Sequence, residues 1–409
     1  MNEALTKPSM YEELFFKDES FNFETIRTIG LAGYKASDFG ECVITANRII
    51  DGDLISWKNE WEKTADCVFA KAEQFAKDGH NVSAEHAFYR ASNYYNKAMF
   101  YLVSPNERSE AIALRQKAVL AFKNGIAYKS NISSVNIPYE NTTLPAYFVE
   151  SNSLNNGVAP LMILHTGFDG TKEEMYFMFG LAAIERGYHL LLLDGPGQGE
   201  SLLNNLYYRF DWEKVITPVV DFALTLACVD KDKIALYGAS MGGYLAPRAV
   251  AFEPRINACI ANGGVSNFFA AMIKVLPPEL ILLAEQHPEL FNQKIDEISS
   301  KNVNLAWAFG NGKWTMGVKT NAEFFQKIKL FNSSAVSGQI KCNMLIIDSR
   351  KDMFFDDQPR ELYNLLNCPK EYIVFDENSP GQYHCQMGAT KFSNEIIYAW
   401  LDKVLEHRV

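Results

Sequence analysis

The sequence predicts an α/β fold in which a mostly parallel central sheet is covered by helices on both faces and carries two helical additions. From residue 161 onward, short apolar runs alternate with helical stretches, which is typical of strands buried in a parallel sheet. A helical periodicity dominates the earlier part of the chain. A long, mostly helical interval also separates two of the apolar runs.

The first helical addition is predicted to be an N-terminal cap domain at residues 1–129. From about residue 22 to residue 124, apolar side chains recur at spacings of three and four, as on one face of a helix. Trp57, Trp61 and Val68 follow this spacing, and β-branched runs are scarce. With 409 residues the chain exceeds the length at which a single core stops growing, so a second unit is expected.

The α/β domain is predicted at residues 130–264 and 340–409, and it opens with a hairpin that turns at Glu140 and adds antiparallel edge strands. The second addition, a helical lid at residues 265–339, lies between the fourth and fifth apolar runs and is too long for a plain crossover. The apolar runs that we predict as parallel strands are residues 161–165, 188–194, 233–238, 256–263, 343–348 and 371–376.

The composition excludes several classes of partner and of site. A net charge of -10 and a pI near 5.3, without any Lys/Arg run, repel phosphate backbones and anionic membranes, so we expect neither a nucleic-acid nor a membrane partner. The seven cysteines are scattered and form no CxxC pair, which argues against a disulfide framework and a zinc site. Residues 1–8 lack a signal pattern, and Asp221 interrupts the longest apolar stretch. We therefore expect a cytoplasmic protein.

The strongest local motif is Gly238-Ala-Ser240-Met-Gly-Gly243, which directly follows a predicted strand and precedes a helical segment. A GxSxG match by itself is weak, because glycine and serine are common. Strand, sharp turn and helix in this order are typical of a nucleophile elbow, where small residues let the backbone pass close to its neighbours. The motif predicts Ser240 as the nucleophile of an α/β-hydrolase fold.

A serine nucleophile needs a base, and in this fold the order along the chain is serine, acid, histidine. Of the seven histidines, only His287, His384 and His407 follow Ser240. His287 lies in the predicted lid and His407 in the last helix. His384 lies in a turn-rich loop directly after the last predicted strand, and we predict it as the base.

The acid is predicted in the loop after the fifth apolar run, which contains four aspartates. Asp348 is still at the strand end, and Asp356 and Asp357 precede a helical segment whose start they are expected to cap. Asp352 stands between them, where a carboxylate can reach a histidine and hold its tautomer. We predict Asp352 as the acid, with Asp348 as the alternative.

The oxyanion needs two backbone donors, which we predict to be the amides of Met241, after the nucleophile, and Phe168, in the loop after the first parallel strand. His165, at the end of that strand, is expected to be structural. The glycine-rich residues 194–201 lack the lysine of a phosphate-binding loop and are interpreted as a tight turn near the pocket rim.

Four segments together carry a resemblance to a known family. The segments are Gly167-Phe-Asp-Gly-Thr-Lys-Glu-Glu174, Asp194-Gly-Pro-Gly-Gln-Gly-Glu-Ser201, Gly238-Ala-Ser-Met-Gly-Gly243 and His384-Cys-Gln-Met-Gly388. They resemble the α/β-hydrolases that include 2,6-dihydroxypseudooxynicotine hydrolase and the hydrolases that shorten aromatic polyketides in fungal pigment and bacterial anthraquinone biosynthesis. The resemblance covers the chain from about residue 130 to its end and extends into residues 83–95.

The resemblance implies carbon-carbon bond hydrolysis of a β-diketone-like aromatic polyketide or related ketone through an acyl-enzyme, without a metal or an organic cofactor. It is also consistent with a homodimer formed through the cap. Because an esterase uses the same triad, a carboxylesterase acting on an aryl ester stays an alternative. A non-catalytic binding protein of this fold is the alternative from another class.

Substrate contacts are expected from Asp169 and from aromatic side chains of the cap and lid, namely Tyr94, Tyr95 and Trp307. A surplus of aromatic residues, 13% of the chain, suits a flat polycyclic substrate. Aromatic residues at helical spacing also pack a cap onto its own core, so both interpretations stay open for each of them.

Overall fold

The computed structural model describes residues 13–152 and 157–407. The chain divides into two compact units, Met1–Tyr128 and Lys129–Val409, and the predicted lid belongs to the second. The prediction that residues 1–8 form no signal segment lies outside the described residues. Across the described ranges, none of the helices combines the length and the hydrophobicity that crossing a bilayer requires.

The N-terminal unit is helical, as its apolar periodicity predicts. The Asp53 carboxylate caps the longest helix by accepting hydrogen bonds from the amides of Ile55 and Ser56. Trp57 and Trp61 on that helix are fully buried and form an aromatic core with neighbouring rings. The helices are α1 (Glu19–Gly30), α2 (Phe39–Ala46), α3 (Leu54–Lys77), α4 (Asn81–Met99) and α5 (Arg108–Ile126).

The second unit is built on one eight-stranded sheet with the strand order β1-β2-β4-β3-β5-β6-β7-β8. The β1–β2 hairpin is antiparallel and pairs antiparallel with β4, whereas all other neighbours are parallel, so the predicted fold class and edge hairpin are confirmed. The strands are β1 (Ile132–Tyr139), β2 (Thr142–Val149), β3 (Ala159–His165), β4 (His189–Leu193), β5 (Val229–Ala239), β6 (Ala258–Asn262), β7 (Asn343–Ser349) and β8 (Lys370–Phe375).

Helices cover the sheet, and every residue of β3, β4 and β6 is buried. Such strands need apolar residues on both faces, which explains their continuous apolar runs. A π-helical turn, Tyr176–Gly180, joins α6 to α7. The helices outside the lid are α6 (Lys172–Met175), α7 (Leu181–Ile184), α8 (Gly199–Leu203), α9 (Glu213–Ala223), α10 (Gly242–Val250), α16 (Gln358–Leu365) and α17 (Thr390–Val404).

The lid segment between β6 and β7 is helical and has its own aromatic core, which includes Phe291, Phe309 and Phe324. Its two ends are joined, because the amide of Ser333 donates to the carbonyl of Ser266 at 2.8 Å. The lid helices are α11 (Phe268–Ile273), α12 (Pro278–Gln286), α13 (Pro288–Ser299), α14 (Val303–Met316) and α15 (Asn321–Ile328).

Candidate active site

Ser240 lies on the sharp turn between β5 and α10, as the elbow motif predicts. Its φ of +60° is left-handed, a conformation that costs free energy for a residue with a side chain. The surrounding backbone holds this strained turn: the Ser240 amide donates to the carbonyl of Asn262 at 2.9 Å, and the Gly243 amide donates to the Ser240 carbonyl at 2.7 Å. The hydroxyl is thereby presented at the carboxyl end of the sheet.

The structure brings Ser240, His384 and Asp352 into one hydrogen-bonded line. His384 Nε2 lies 2.9 Å from Ser240 Oγ, and His384 Nδ1 lies 2.7 Å from Asp352 Oδ2. Burial favours the neutral imidazole, but the neighbouring Asp352 carboxylate outweighs it and holds the pKa of His384 well above its ordinary value. With Nδ1 donating to Asp352, the Nε2 lone pair faces the serine hydroxyl.

Asp352 is held by its own loop. Its Oδ1 accepts hydrogen bonds from the amides of Phe354, at 2.8 Å, and Phe355, at 3.2 Å. The rings of these two phenylalanines stand edge-on to the imidazole of His384, with centroids 4.7 and 5.2 Å away. The acid and the rings beside the base therefore come from one short turn after β7.

The other candidate aspartates lie elsewhere. Asp348 accepts a 2.6 Å hydrogen bond from the Tyr372 hydroxyl, and burial raises its pKa. Asp356 forms an ion pair with Lys274. Asp357 occupies the N-cap position of α16, but its side chain makes no capping hydrogen bond, so the predicted side-chain caps are wrong. The helix start instead has a proline in its first turn, which needs no amide partner.

The loop that carries His384 is held by the buried side chains of Gln386, Asn262 and Ser349, which were not identified from the sequence. Cys385 and Gln386 both have left-handed φ, 50° and 55°. The Gln386 and Asn262 side-chain amides bond to each other at 2.8 and 2.9 Å, and Gln386 Nε2 also donates to Ser349 Oγ at 3.1 Å. Gln386 stands in the His384-Cys-Gln-Met motif, but nothing local in the sequence identifies Asn262 as its partner.

The predicted oxyanion donors lie on either side of a close approach between two loops. A Cβ on Gly167 would lie 2.6 Å from the Met241 nitrogen and 2.8 Å from Ser240 Cβ, so only glycine allows the loop to touch the elbow here. Within the described part of the chain, the amide N–H groups of Met241 and Phe168 have no hydrogen-bond acceptor. Two donors are thus available beside the hydroxyl.

The predicted substrate contacts of the second unit lie beside this loop. Trp307, on α14, packs edge-on against the ring of Phe168 with centroids 5.8 Å apart, and Asp169 follows Phe168 as a half-buried residue. His165, which we interpret as structural, lies three residues before Phe168 in the sequence and is fully buried. Burial lowers the pKa of His165 to about 4, so its imidazole is neutral at pH 7.

The predicted contacts of the cap lie on α4 and are engaged within the N-terminal unit. The hydroxyl of the buried Tyr94 donates to Glu41 at 2.8 Å. The hydroxyl of the buried Tyr95 donates to Asp66 at 2.6 Å. Both hydroxyls therefore have partners inside their own unit, which is the packing interpretation of helically spaced aromatics.

A buried ammonium stands among three carboxylates at the start of the glycine-rich turn. Lys172 Nζ lies 2.8 Å from Glu173, 2.9 Å from Asp194 and 2.5 Å from Glu200. These carboxylates are close enough to one another to hold a metal ion, but the lysine already supplies the positive charge at their centre. Burial would lower the pKa of Lys172, yet the carboxylates, Asp194 first, raise it well above its ordinary value.

Comparison with known sequences finds a family and several curated relatives. The family described as Esterase FrsA-like matches residues 48–277. Hydrolase LUC6 from Fusarium sp is 34% identical over 407 residues, covering 95% of this chain and 97% of that protein. The 20-hydroxy-prefusarin hydrolase FUS2 from Gibberella moniliformis is 32% identical over 407 residues, with the same shares of 95% and 97%.

Comparison with solved structures gives the same fold. The crystal structure of 2,6-dihydroxy-pseudo-oxynicotine hydrolase matches with a TM-score of 0.71 at 22% identity, covering 93% of this chain and 97% of that one. The structure of AbyA5 matches with a TM-score of 0.64 at 16% identity, covering 92% and 94%. At these identities the likeness concerns the fold, whereas the curated sequences match over nearly their full length.

Proposed function

Because this chain belongs to the FrsA-like esterase family of α/β-hydrolases, we propose that it is a serine hydrolase whose catalytic triad is Ser240, His384 and Asp352. The observation that carries this proposal is the unbroken hydrogen-bonded line from the hydroxyl through the imidazole to the carboxylate. A serine hydroxyl is a poor nucleophile at neutral pH unless a base removes its proton during attack.

In the first step, Ser240 Oγ adds to a substrate carbonyl while its proton passes to His384 Nε2. The imidazolium that forms is stabilised by the Asp352 carboxylate, which keeps Nδ1 protonated throughout. The carbonyl oxygen becomes an oxyanion, and the amides of Met241 and Phe168 donate to it. Donors that are already oriented in a buried site cost no reorganisation when the charge develops.

We propose that the bond that breaks is a carbon-carbon bond next to this carbonyl. Collapse of the tetrahedral intermediate expels a carbanion, which is a tolerable leaving group only as an enolate of a second carbonyl or as the anion of an electron-poor ring. The imidazolium of His384 returns its proton to that carbon and becomes a base again. A water molecule, deprotonated by His384, then splits the acyl-serine ester and releases a carboxylic acid.

The proposed substrate is a β-diketone-like aromatic polyketide or related ketone. Support comes from the relatives, one of which is named as a hydrolase of 20-hydroxy-prefusarin. Support also comes from the rings beside the site: Phe168 packs against Trp307, and Phe354 stands next to His384 with 39% of its surface exposed. Aromatic side chains of this kind suit a flat, conjugated ligand.

A carboxylesterase is the second candidate, because the matching family is described as an esterase family. The two candidates are separated by incubating the protein with a simple aryl ester and with an aromatic β-diketone and following product masses. We expect the β-diketone to yield a carboxylic acid and a chain-shortened ketone. Ester turnover without any chain-shortened product would reject carbon-carbon hydrolysis and leave the esterase.

The triad itself is tested by Ser240→Ala and His384→Ala. Each is expected to lower kcat by about four orders of magnitude or more, with an unchanged unfolding temperature. Ser300→Ala, on the exposed surface of the lid, is the control and is expected to keep full activity. Equal turnover in Ser240→Ala and Ser300→Ala would overturn the serine mechanism and mean that the triad is misassigned, whereas a wild-type protein that binds these substrates without turning them over would be a non-catalytic binding protein.

The remaining expectations are also proposals. We propose that the partner of this acidic chain is a small molecule and neither a nucleic acid nor a membrane, that the protein resides in the cytoplasm, and that it forms a homodimer. Sedimentation velocity at micromolar concentration, with and without substrate, checks the homodimer, and fractionation of cells that express the protein checks the compartment.

A further inference from the structure

The peptide bond between Gly167 and Phe168 carries two groups that matter for the proposed chemistry. Its N–H belongs to Phe168 and is one of the proposed oxyanion donors. Its C=O belongs to Gly167 and lies on the opposite side of the same planar unit, so whatever holds the carbonyl also orients the N–H. The partners of the Gly167 carbonyl therefore bear directly on the oxyanion hole.

Two buried side chains hold this carbonyl. The Tyr208 hydroxyl donates a hydrogen bond to the Gly167 oxygen. Gln198 Nε2 donates to the carbonyl of Thr166 at 2.6 Å and approaches the Gly167 oxygen at 3.4 Å. Tyr208 and Gln198 are each 2% exposed, so no solvent competes for these bonds.

The glycine-rich turn, residues 194–201, explains how these side chains reach the loop. Gly197 has a φ of +87°, and a Cβ there would lie 2.4 Å from the ring of Tyr208, so the ring occupies the space that a side chain would take. The Gln198 amide oxygen accepts from the Gly195 N–H at 2.9 Å, which turns Nε2 toward the loop. The glycine-rich turn therefore places Tyr208 and Gln198 where they support the loop at Gly167 and Phe168.

The lid helix α14 also supports this loop. Asn311, on α14, donates from Nδ2 to the carbonyl of Phe168 at 2.9 Å, which fixes the next peptide unit. The amide of Tyr208 donates to the carbonyl of Thr315 on the same helix at 2.9 Å. The peptides on both sides of the Phe168 Cα are therefore held by side chains from other parts of the chain.

We propose that Tyr208 is a positioning residue for the oxyanion hole, acting through the Gly167–Phe168 peptide. This inference rests on the proposed function, in which the Phe168 N–H receives the developing negative charge. A hydrogen bond to an amide carbonyl polarises the N–H of the same amide, so chains of hydrogen bonds strengthen one another. Tyr208 therefore both aims the donor and makes it stronger. Burial raises the pKa of Tyr208 well above its ordinary value, which keeps the hydroxyl protonated as a donor.

A purely structural role for Tyr208 rests on its ring, which stacks near Phe168 and packs against Trp212. Tyr208→Phe keeps those ring contacts and removes only the hydroxyl. The matched control is Tyr398→Phe, because Tyr398 is also fully buried and donates its hydroxyl to a backbone carbonyl, that of Phe179, at 2.7 Å. Each variant removes one buried hydroxyl that donates to a backbone carbonyl, and of the two tyrosines only Tyr208 bonds to the oxyanion loop.

The experiment compares the two variants with wild-type protein on an aryl ester and on an aromatic β-diketone. Loss of a direct oxyanion donor lowers kcat by about 100- to 1,000-fold, so loss of its support in Tyr208→Phe is expected to lower kcat by about 10- to 100-fold. KM is expected to stay within about threefold, because the ground-state carbonyl is bound weakly by this donor. Tyr398→Phe is expected to keep wild-type kcat.

Inhibitor binding supplies a readout that a structural defect would not move selectively. An aryl trifluoromethyl ketone adds to the serine and places an oxyanion in the hole, whereas the matching methyl ketone stays a neutral ground-state analogue. In Tyr208→Phe the affinity for the trifluoromethyl ketone is expected to fall by the same factor as kcat/KM, with the methyl ketone unaffected. Equal kcat and equal affinities in Tyr208→Phe and Tyr398→Phe would overturn the inference.

Two further measurements keep the outcome clear. Site-specific replacement of Tyr208 by 3-fluorotyrosine keeps the hydroxyl and is expected to keep wild-type kcat. A loss in that variant equal to the loss in Tyr208→Phe would mean that ring packing is responsible, and it would overturn the inference even where Tyr208→Phe folds poorly. Failure of the proposed function is seen separately, as undiminished turnover in Ser240→Ala.

Discussion

Asn262 and Gln386 bond to each other through both atoms of their side-chain amides, at 2.8 and 2.9 Å, although they are 124 residues apart in the sequence. Asn262 ends β6, and Gln386 lies two residues after His384. The pair ties the loop that carries the base to the strand next to the one that carries the nucleophile. Both side chains are buried, so neither amide can exchange its partner for water.

Gln386→Leu is expected to weaken both folding and catalysis. The substitution keeps the volume and leaves the bond from Asn262 Nδ2 to the Tyr237 hydroxyl, but Asn262 Oδ1 is buried without its donor, which costs about 1–3 kcal/mol of unfolding free energy. Cys385 and Gln386 both have a left-handed backbone, which is unfavourable unless the surrounding contacts hold it. Loss of the amide pair is therefore expected to let the loop relax and move His384 away from Ser240, so that kcat falls by a larger factor than KM rises. Urea unfolding and steady-state kinetics measure the two effects.

Gln382→Leu is the control for this prediction, since Gln382 lies in the same loop and its side-chain oxygen has no hydrogen-bond partner among the described residues. It is expected to leave kcat unchanged. Identical kinetics for the two leucine variants would show that the amide pair does not position the base.

The choice between the two candidate acids is tested by Asp352→Asn and Asp348→Asn. Asp352→Asn is expected to lower kcat by about 10⁴-fold, because an amide cannot hold the imidazole in the required tautomer. Asp348→Asn changes only a carboxylate that accepts from Tyr372, so kcat is expected to stay within about threefold. A larger loss of kcat in Asp348→Asn than in Asp352→Asn would show that Asp348 is the acid and that the assignment of Asp352 is wrong.

The pH dependence of kcat/KM is expected to report the imidazole of His384. The protonated imidazole cannot accept the serine proton, so kcat/KM rises with pH through the pKa of His384. Since the Asp352 carboxylate holds this pKa above the ordinary value of 6.5, the midpoint of the rise is expected above pH 6.5. In Asp352→Asn the midpoint is expected to move lower. An unchanged midpoint in Asp352→Asn would contradict the assignment of Asp352 as the partner of His384.

The same pKa shift has a stability consequence of defined sign. His384 binds its proton more tightly in the folded than in the unfolded chain, so its pairing with Asp352 stabilises the fold fully below the unfolded pKa of about 6.5. This contribution is lost as the pH rises through the higher folded pKa. Urea unfolding of wild-type protein and His384→Gln across that window is expected to show the difference shrinking with rising pH.

Replacement of the buried Lys172 is expected to destabilise the fold. Lys172→Met leaves the Glu173, Asp194 and Glu200 carboxylates without their ammonium, and breaking a buried ion pair in this way costs about 3–5 kcal/mol. Stability of the variant is expected to increase as the pH falls toward 5, because protonation removes the unpaired charges. Thermal unfolding at several pH values measures this.

The matched control is Lys117→Met, since Lys117 pairs with Glu62 and Asp66 at a partly exposed position. Exposed pairs contribute less than about 1 kcal/mol, so a small change without a pH trend is expected. A loss of stability in Lys172→Met no larger than that in Lys117→Met would show that the Lys172 ammonium is not needed to balance the charge of the three carboxylates.

Local patterns in the sequence were enough to predict the fold class and to select the residues around Ser240. The parallel strands are continuous apolar runs, and the elbow motif combines strand, turn and helix within a few residues. Once the order of serine, acid and histidine is assumed, His384 and Asp352 follow from their loops. The structure brings these three side chains together.

Contacts between distant segments could not be predicted in the same way. The bond from Tyr208 to Gly167 spans 41 residues and depends on how two loops meet above the sheet. The ion cluster of Lys172 likewise depends on the neighbouring positions of β3 and β4. The cap expected from Asp356 fails because its carboxylate pairs with Lys274, and Asp357 occupies the N-cap position of α16 without a capping hydrogen bond from its side chain.

The paired ends of the lid segment, joined between Ser266 and Ser333, make this part of the chain a self-contained insertion between β6 and β7. An insertion that enters and leaves the sheet at one point can be lengthened, shortened or exchanged without altering the register of any strand. A changed lid is therefore expected to alter which substrates bind without displacing Ser240, His384 or Asp352. Any exchanged lid must still supply the contacts that Asn311 makes with the Phe168 carbonyl and that Thr315 makes with the Tyr208 amide.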